Sequence, residues 1–359
     1  MQIKLAWADI DAQAKRNVRD VLKSGWVSAH KYMPEFESKV AALHGCKYGV
    51  MVNSGTDALR IALATLKEVY QWKDGAEILV PAVTFVATVN VVLQTRLKPV
   101  FVDVERFTYN MNPTLISKAI SKNTVGIIPV HLFGLPCDMK RISWVASQHG
   151  LKIIEDSCES MFVHKITGDF GCFSTYMAHI IQTGVGGVLT TNSRRNYDIA
   201  RSYMNHGRDK DTTKYRFERV GYSSRATEFE AALGCAQLER REKILKRRQN
   251  FAWQLWKALP GEPFLQMPII TKPSSWMFFP MILLKGDRDK FMRHLLRHGV
   301  ESRQMMPLIN QPPYKDMVRP GEFPVAEWIN RQGLCLPCHQ KLDENDFAHM
   351  LDAIYAFFK

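Results

Sequence analysis

Between residues 12 and 23, apolar residues recur every three to four positions, with Val18, Val21 and Leu22 on one side and Gly25 following as a helix-ending residue. The same period returns over 33–43 through Phe36, Val40 and Leu43. The pattern then changes to short unbroken apolar runs at 48–52, 78–81, 99–104, 125–131, 152–155, 171–176 and 188–191. Runs of that length predict strands buried on both faces. Helical spacing separates several of them, at 57–66, 84–93 and 138–149. Such alternation predicts an α/β fold, a mostly parallel sheet covered by helices. Past Cys235 the character shifts. Residues 231–259 predict one long charged helix, while 278–284, 291–298 and 347–358 predict a smaller α+β unit. The expected division is a large domain over 1–235 and a linking helix with a small domain over 236–359, the N-terminal helix joining the small one. Met305, Met306 and Pro307, with the run 310–314, predict a packed loop.

Composition narrows the class. Hydrophobic residues make up 46% of the 359 and charged residues 23%, as in a globular chain. No apolar run approaches the roughly 18 residues of a membrane helix. The opening stretch carries Asp9 and Asp11 and lacks a signal-peptide core, so a cytoplasmic location without membrane partner is expected. The net charge of +13 raises nucleic acid as a partner. The densest basic run, 240–248, is interrupted by Glu242 and spaced as a helix; it reads as a solvated helix face, and no nucleic-acid motif accompanies it. Seven scattered cysteines, an odd number, argue against a disulfide framework. Cys335 and Cys338 form a CxxC without a second pair, which reads as packing rather than a metal site.

The chemistry concentrates in 151–187. Glu155 and Asp156 end an apolar strand, Ser174 lies on the next, and His179 follows before a turn with Gly184, Gly186 and Gly187. In open α/β sheets ligands bind beyond the carboxyl ends of strands. The strand at 48–52 runs through Ser54, Gly55 and Thr56 into a helix, whose N-terminal N–H groups suit an anion. Gly55, Thr56 and Ser174 can form a phosphate cup, Phe85 can lie against a planar ring, and Asp156 can keep a ring nitrogen protonated. Pyridoxal phosphate meets those requirements.

Ordered blocks run nearly the whole length: SGWVSAHKYMPEFESKVA, VNSGTDALRIAL, VPAVTFVATVN, PVFVDVE, IIPVHLFGLPCDM, IIEDSCES, GCFSTYMAHIIQTGVGG, GYSSRATEFEAALGCAQL, NQPPY and LCLPCHQKLDENDF. On these the chain resembles the pyridoxal-phosphate sugar aminotransferases of the DegT and StrS type. The resemblance implies an aspartate-aminotransferase-like fold (PLP fold type I), a large domain with a mixed, mostly parallel sheet plus a smaller α+β C-terminal domain. It also implies a homodimer, pyridoxal or pyridoxamine phosphate as cofactor, a nucleotide-linked ketosugar as substrate and glutamate as amino donor. Gly55, Thr56 and Ser174 then resemble phosphate binders, Phe85 the stacking residue and Asp156 the ring-nitrogen partner. Glu159 stands where the family has a glutamine near the ring hydroxyl. The family's Schiff-base lysine falls at His179, five residues after Ser174. That exchange is similar to the 3-dehydratases of nucleotide-linked 4-keto-6-deoxy sugars, where a histidine moves the proton. Departures from that branch are Val185 in place of an acid, the aminotransferase-like run 54–59, Ser223 in place of an asparagine, and a shortened 160–168 loop that contains Lys165. The resemblance thus implies C3 dehydration with His179 as acid and base, an aminotransferase as the alternative, or a non-catalytic cofactor- or sugar-binding relative.

Overall fold

A computed structural model describes residues 2–359 except 212, 260, 262, 271 and 307. The apolar runs become strands β1 (Tyr48–Val52), β2 (Glu77–Pro81), β3 (Lys98–Val102), β4 (Thr124–Ile127), β5 (Lys152–Asp156), β6 (Phe170–Ser174) and β7 (Gly187–Thr191). They form one sheet in the order β1-β7-β6-β5-β4-β2-β3. Neighbours from β3 to β6 pair parallel, while β7 runs antiparallel to both β1 and β6. Strands β2, β6 and β7 are buried at every position, which explains their unbroken apolar character. The architecture is α/β with a mixed, mostly parallel sheet.

The helices in chain order are α1 (Ala12–Ser24), α2 (Tyr32–Leu43), α3 (Gly55–Val69), α4 (Val86–Gln94), α5 (Pro113–Ala119), α6 (Met139–Gln148), α7 (Arg194–Met204), α8 (Glu228–Glu239), α9 (Arg241–Ala258), α10 (Arg288–Arg297), α11 (Pro324–Gln332) and α12 (Glu344–Phe358). Gly25 ends α1 in the left-handed region at φ 68, as its position predicts. A second, antiparallel sheet has the order β10-β11-β9-β8, from β8 (Leu265–Gln266), β9 (Phe278–Leu283), β10 (Arg303–Gln304) and β11 (Gly333–Pro337). Helix α1 packs on α8, and Ile3 bridges to Val300 beside this second sheet.

Three sequence expectations need correction. The single helix over 231–259 is two helices, α8 and α9, broken at Arg240. That residue's guanidinium is drawn to Asp11 (2.9 Å) and Asp9 (3.3 Å) in the N-terminal segment. The basic run 240–248 is not wholly a solvated face, because Arg248 is buried and hydrogen-bonded throughout. The strand expected over 125–131 leaves the ladder after Ile127; its backbone continues through a bridge from Val130 to Asp156 into a 3₁₀ turn at Leu132–Gly134. Of the predicted loop at 305–307, Met305 and Met306 are buried, and Pro307 lies outside the described residues. Cys335 and Cys338 are buried free thiols, and Cys338 Sγ donates to the Arg248 carbonyl at 3.6 Å. No helix among the described residues is long and apolar enough to cross a membrane.

Candidate active site

A cavity of about 380 Å³ opens beyond the carboxyl ends of β1, β5 and β6, and Gly55, Thr56, Phe85, Asp156, Glu159, Ser174 and His179 all line it. The turn from β1 into α3 builds one wall. Ser54 caps α3 by accepting the Asp57 N–H at 3.1 Å, and Gly55 and Thr56 at the start of that helix line the cavity. Gly55 is required there by close approach: a Cβ would stand 2.8 Å from both Cys158 Sγ and Ser174 Cβ. Ser174, the last residue of β6, accepts the Tyr176 N–H at 3.3 Å.

Asp156 ends β5 and is buried. Its Oδ2 accepts the Thr88 hydroxyl at 2.9 Å and its Oδ1 the Cys158 N–H at 3.2 Å. Among the described residues it carries no ion pair, and burial pushes its pKa above the ordinary value despite those hydrogen bonds. Glu159 accepts the Phe133 N–H at 2.7 Å; burial lifts its carboxyl to about 7, with Arg303 opposing the rise. Phe85 sits at the N-cap of α4 and is 55% exposed, a large aromatic face left open at the cavity. The His179 imidazole places Nδ1 3.1 Å from Met277 Sδ and its ring edge-on to Tyr176. Burial and then the charges of Arg303 and Arg248 push its pKa down to about 3.

The second sheet supplies what the sequence reading missed. Met277 precedes β9, and Arg303 begins β10; both line the cavity. The Arg303 guanidinium lies over the Phe278 ring at 4.5 Å, and its buried Nε has no hydrogen-bond partner. It is the one arginine or lysine among the described lining residues, both of this cavity and of an adjoining hollow of about 470 Å³ walled by Phe85, Gln304 and Leu308. A lone arginine in a two-residue strand carries no period or motif that would reveal it. Thr84 and Thr88, which bond each other at 2.9 Å and pass the second hydroxyl to Asp156, do recur at helical spacing in the stretch VPAVTFVATVN.

Behind β5 lies a second polar group. His131 Nδ1 accepts the Cys137 N–H at 3.0 Å, so its Nε2–H donates to Glu155 Oε2 at 3.0 Å. Glu155 Oε1 takes the N–H groups of Thr167 and Gly168, and His164 bonds Ser157 and Ser160. His131, Glu155 and His164 bring ligand-type atoms within 4.8 Å of one another, but His131 Nδ1 is taken by the Cys137 N–H, and Glu155 and His164 bond to residues in and around the 160–168 loop. Lys165 of that loop bonds the Leu43 carbonyl at 2.8 Å and does not line the cavity.

The sequence pattern of the DegT/DnrJ/EryC1/StrS aminotransferase family matches residues 8–355. The chain belongs to that family. Among DegT-family relatives, the GDP-perosamine synthase of Escherichia coli O157:H7 is 30% identical, with 97% of this chain and 96% of that one covered. Two solved structures superpose closely. DesV of S. venezuelae, in complex with a ketimine intermediate, is 29% identical with a TM-score of 0.90, covering 96% of this chain and 94% of its own. The E. coli GDP-4-keto-6-deoxy-D-mannose-3-dehydratase with bound hydrated PLP is 26% identical with a TM-score of 0.91, covering 99% and 100%. Proteins named as a synthase and as a 3-dehydratase thus share this chain's fold.

Proposed function

We propose that this protein is a pyridoxal- or pyridoxamine-phosphate-dependent enzyme of nucleotide-sugar metabolism that removes the C3 hydroxyl of a nucleotide-linked 4-keto-6-deoxyhexose, with His179 as acid and base. The observation that carries the reading is the imidazole itself: His179 lines the cavity, and no lysine does among the described residues. The residues present fit the cofactor. Gly55 and Thr56 open α3 on the cavity wall, where the N–H groups of a helix N-terminus suit a phosphate. Asp156 is buried and carries no ion pair among the described residues, which suits a protonated ring nitrogen. Phe85 offers an open aromatic face. When bound, the cofactor supplies an electron-accepting ring.

This chain's own groups then divide the work. Asp156, oriented by Thr88 and the Cys158 N–H, holds the ring-nitrogen proton. Held as a free base, His179 accepts a proton at an imidazole nitrogen and returns one to the departing hydroxyl. Arg303, on the cavity wall with no ion pair among the described residues, meets negative charge on the incoming substrate. Exposed Phe85, Tyr176 and Val185 line the cavity, and a second copy of the chain covering them would close the site as a homodimer. The aminotransferase reading, with glutamate as donor, draws on Val185, which puts an apolar side chain on the wall where the dehydrating branch has an acid.

The deciding assay incubates the protein with cofactor, glutamate and a panel of nucleotide-linked 4-ketosugars and follows product mass. Dehydration yields a 3-deoxy ketosugar and ammonia, and His179→Asn should slow it about 10²–10⁴-fold. A stable aminosugar from the unmodified protein would instead establish the transferase.

A further inference from the structure

Arg248 is 1% exposed although it sits in the most basic stretch of the chain. Its guanidinium spreads over four carbonyls and one amide. Nη1 donates to the oxygens of Cys338 (2.8 Å), Trp276 (2.9 Å) and Met277 (3.3 Å), Nη2 to that of His179 (3.3 Å), and Nε to Gln340 Oε1 (3.0 Å). No carboxylate among the described residues pairs with it directly. Among the described residues Gln340 links it to a carboxylate, its Nε2 donating to Asp9 Oδ2 at 3.4 Å. Burying a guanidinium without a counter-ion is costly, and filling the space would not require it. The carbonyls it gathers are informative. His179 and Met277 are the two residues whose side chains meet in the cavity, Nδ1 against Sδ, and they come from different sheets' connections. The His179 carbonyl also takes Gln182 Nε2 at 3.4 Å, and Gln182 in turn accepts the Asp9 N–H at 3.0 Å.

We propose that Arg248 is the positioning residue of this site: by holding the backbone oxygens of His179 and Met277 on one planar fork, it sets where the imidazole stands in the cavity. The proposal rests on the reading of His179 as proton carrier. Only a guanidinium presents five donors in fixed directions; an ammonium has three on a compact head and cannot span the same set. The charge acts along with the geometry. Facing the imidazole are Arg303 from β10, Arg248 from α9, the Tyr176 ring and Met277, and both cations favour the uncharged form.

The test uses the full chain without cofactor, then loaded. The ¹⁵N imidazole signals of His179, assigned by their loss in His179→Asn, are followed against pH in the unmodified protein, Arg248→Gln and Arg248→Lys. Arg248→Gln should move the His179 midpoint upward. In the loaded enzyme it should shift the acidic limb of kcat/KM the same way and lower kcat about 10–100-fold, the cost of roughly an ångström of misplacement, with KM within about twofold. Arg248→Lys should keep the midpoint low yet lose kcat. Should Arg248→Gln not fold, a crystal structure of Arg248→Lys carries the test through the position of the imidazole. Folded variants with unchanged His179 midpoint, imidazole position and kcat would overturn the proposal. If His179→Asn turns over normally, it is the proton-carrier reading that fails, while the midpoint and the imidazole position still judge the clamp.

Discussion

Replacing Glu159 by glutamine changes one buried proton and little else. The side chain is 5% exposed, and its Oε2 accepts the Phe133 N–H, a bond that an amide oxygen keeps. Burial lifts its carboxyl from a glutamate's ordinary 4.5 to about 7; Arg303 and the Phe133 N–H pull it back and Asp156 adds to the rise. Between those two values the folded chain holds a proton that the unfolded chain has released. Stability therefore falls as pH climbs through that window and is level above it. At about 1.4 kcal/mol per pH unit, the window is worth about 3 kcal/mol. Glu159→Gln cannot ionise, so it should match the parent near pH 4.5 and exceed it by about 3 kcal/mol at pH 8. Equilibrium urea unfolding of cofactor-free protein at both pH values measures the difference. A stability difference that is the same at both would refute the argument, since only an ionisation cost depends on pH. Below about 7 the same proton makes Glu159 a hydrogen-bond donor on the cavity wall.

Two further outcomes are expected. Gly55→Ala drives a methyl to 2.8 Å from Cys158 Sγ and Ser174 Cβ; overpacking should lower the stability of cofactor-free protein by about 1–3 kcal/mol in urea unfolding, and unchanged stability would count against the close packing at Gly55. His44 is fully buried, and burial, with Lys165 and His131 adding, pushes it down to about 3. Below its unfolded value of 6.5 the unfolded chain binds a proton the fold refuses, so His44 costs about 1.4 kcal/mol of stability per pH unit as pH falls, opposite in sign to Glu159. His44→Gln should flatten the fall of Tm between pH 6.5 and 4, and an equally steep fall would count against it.

Local pattern alone determined a good deal of this molecule. Strands β1, β2, β5, β6 and β7 were legible because each is buried at nearly every position, which keeps most of its residues apolar. The strand–Ser54–Gly55–Thr56–helix turn was legible because capping and close approach restrict the residues that fit, and the seven candidate residues fall in one cavity because parallel strands end on the same side. Tertiary structure decided the rest. The break at Arg240 depends on Asp9 and Asp11, more than two hundred residues away, and no helical period carries that information. Arg248 belongs by spacing to a solvated face and was buried because carbonyls of three separate loops converge on it. Met277 reaches the cavity where the segment before β9 bonds to the turn at Leu132–Gly134, Arg303 comes with the same sheet, and its two-residue strand β10 is too short to leave a pattern. Burial, which sets the titration of Glu159, His44 and His179, is likewise a property of the assembled core: the same residues in an extended chain would be solvated and ordinary.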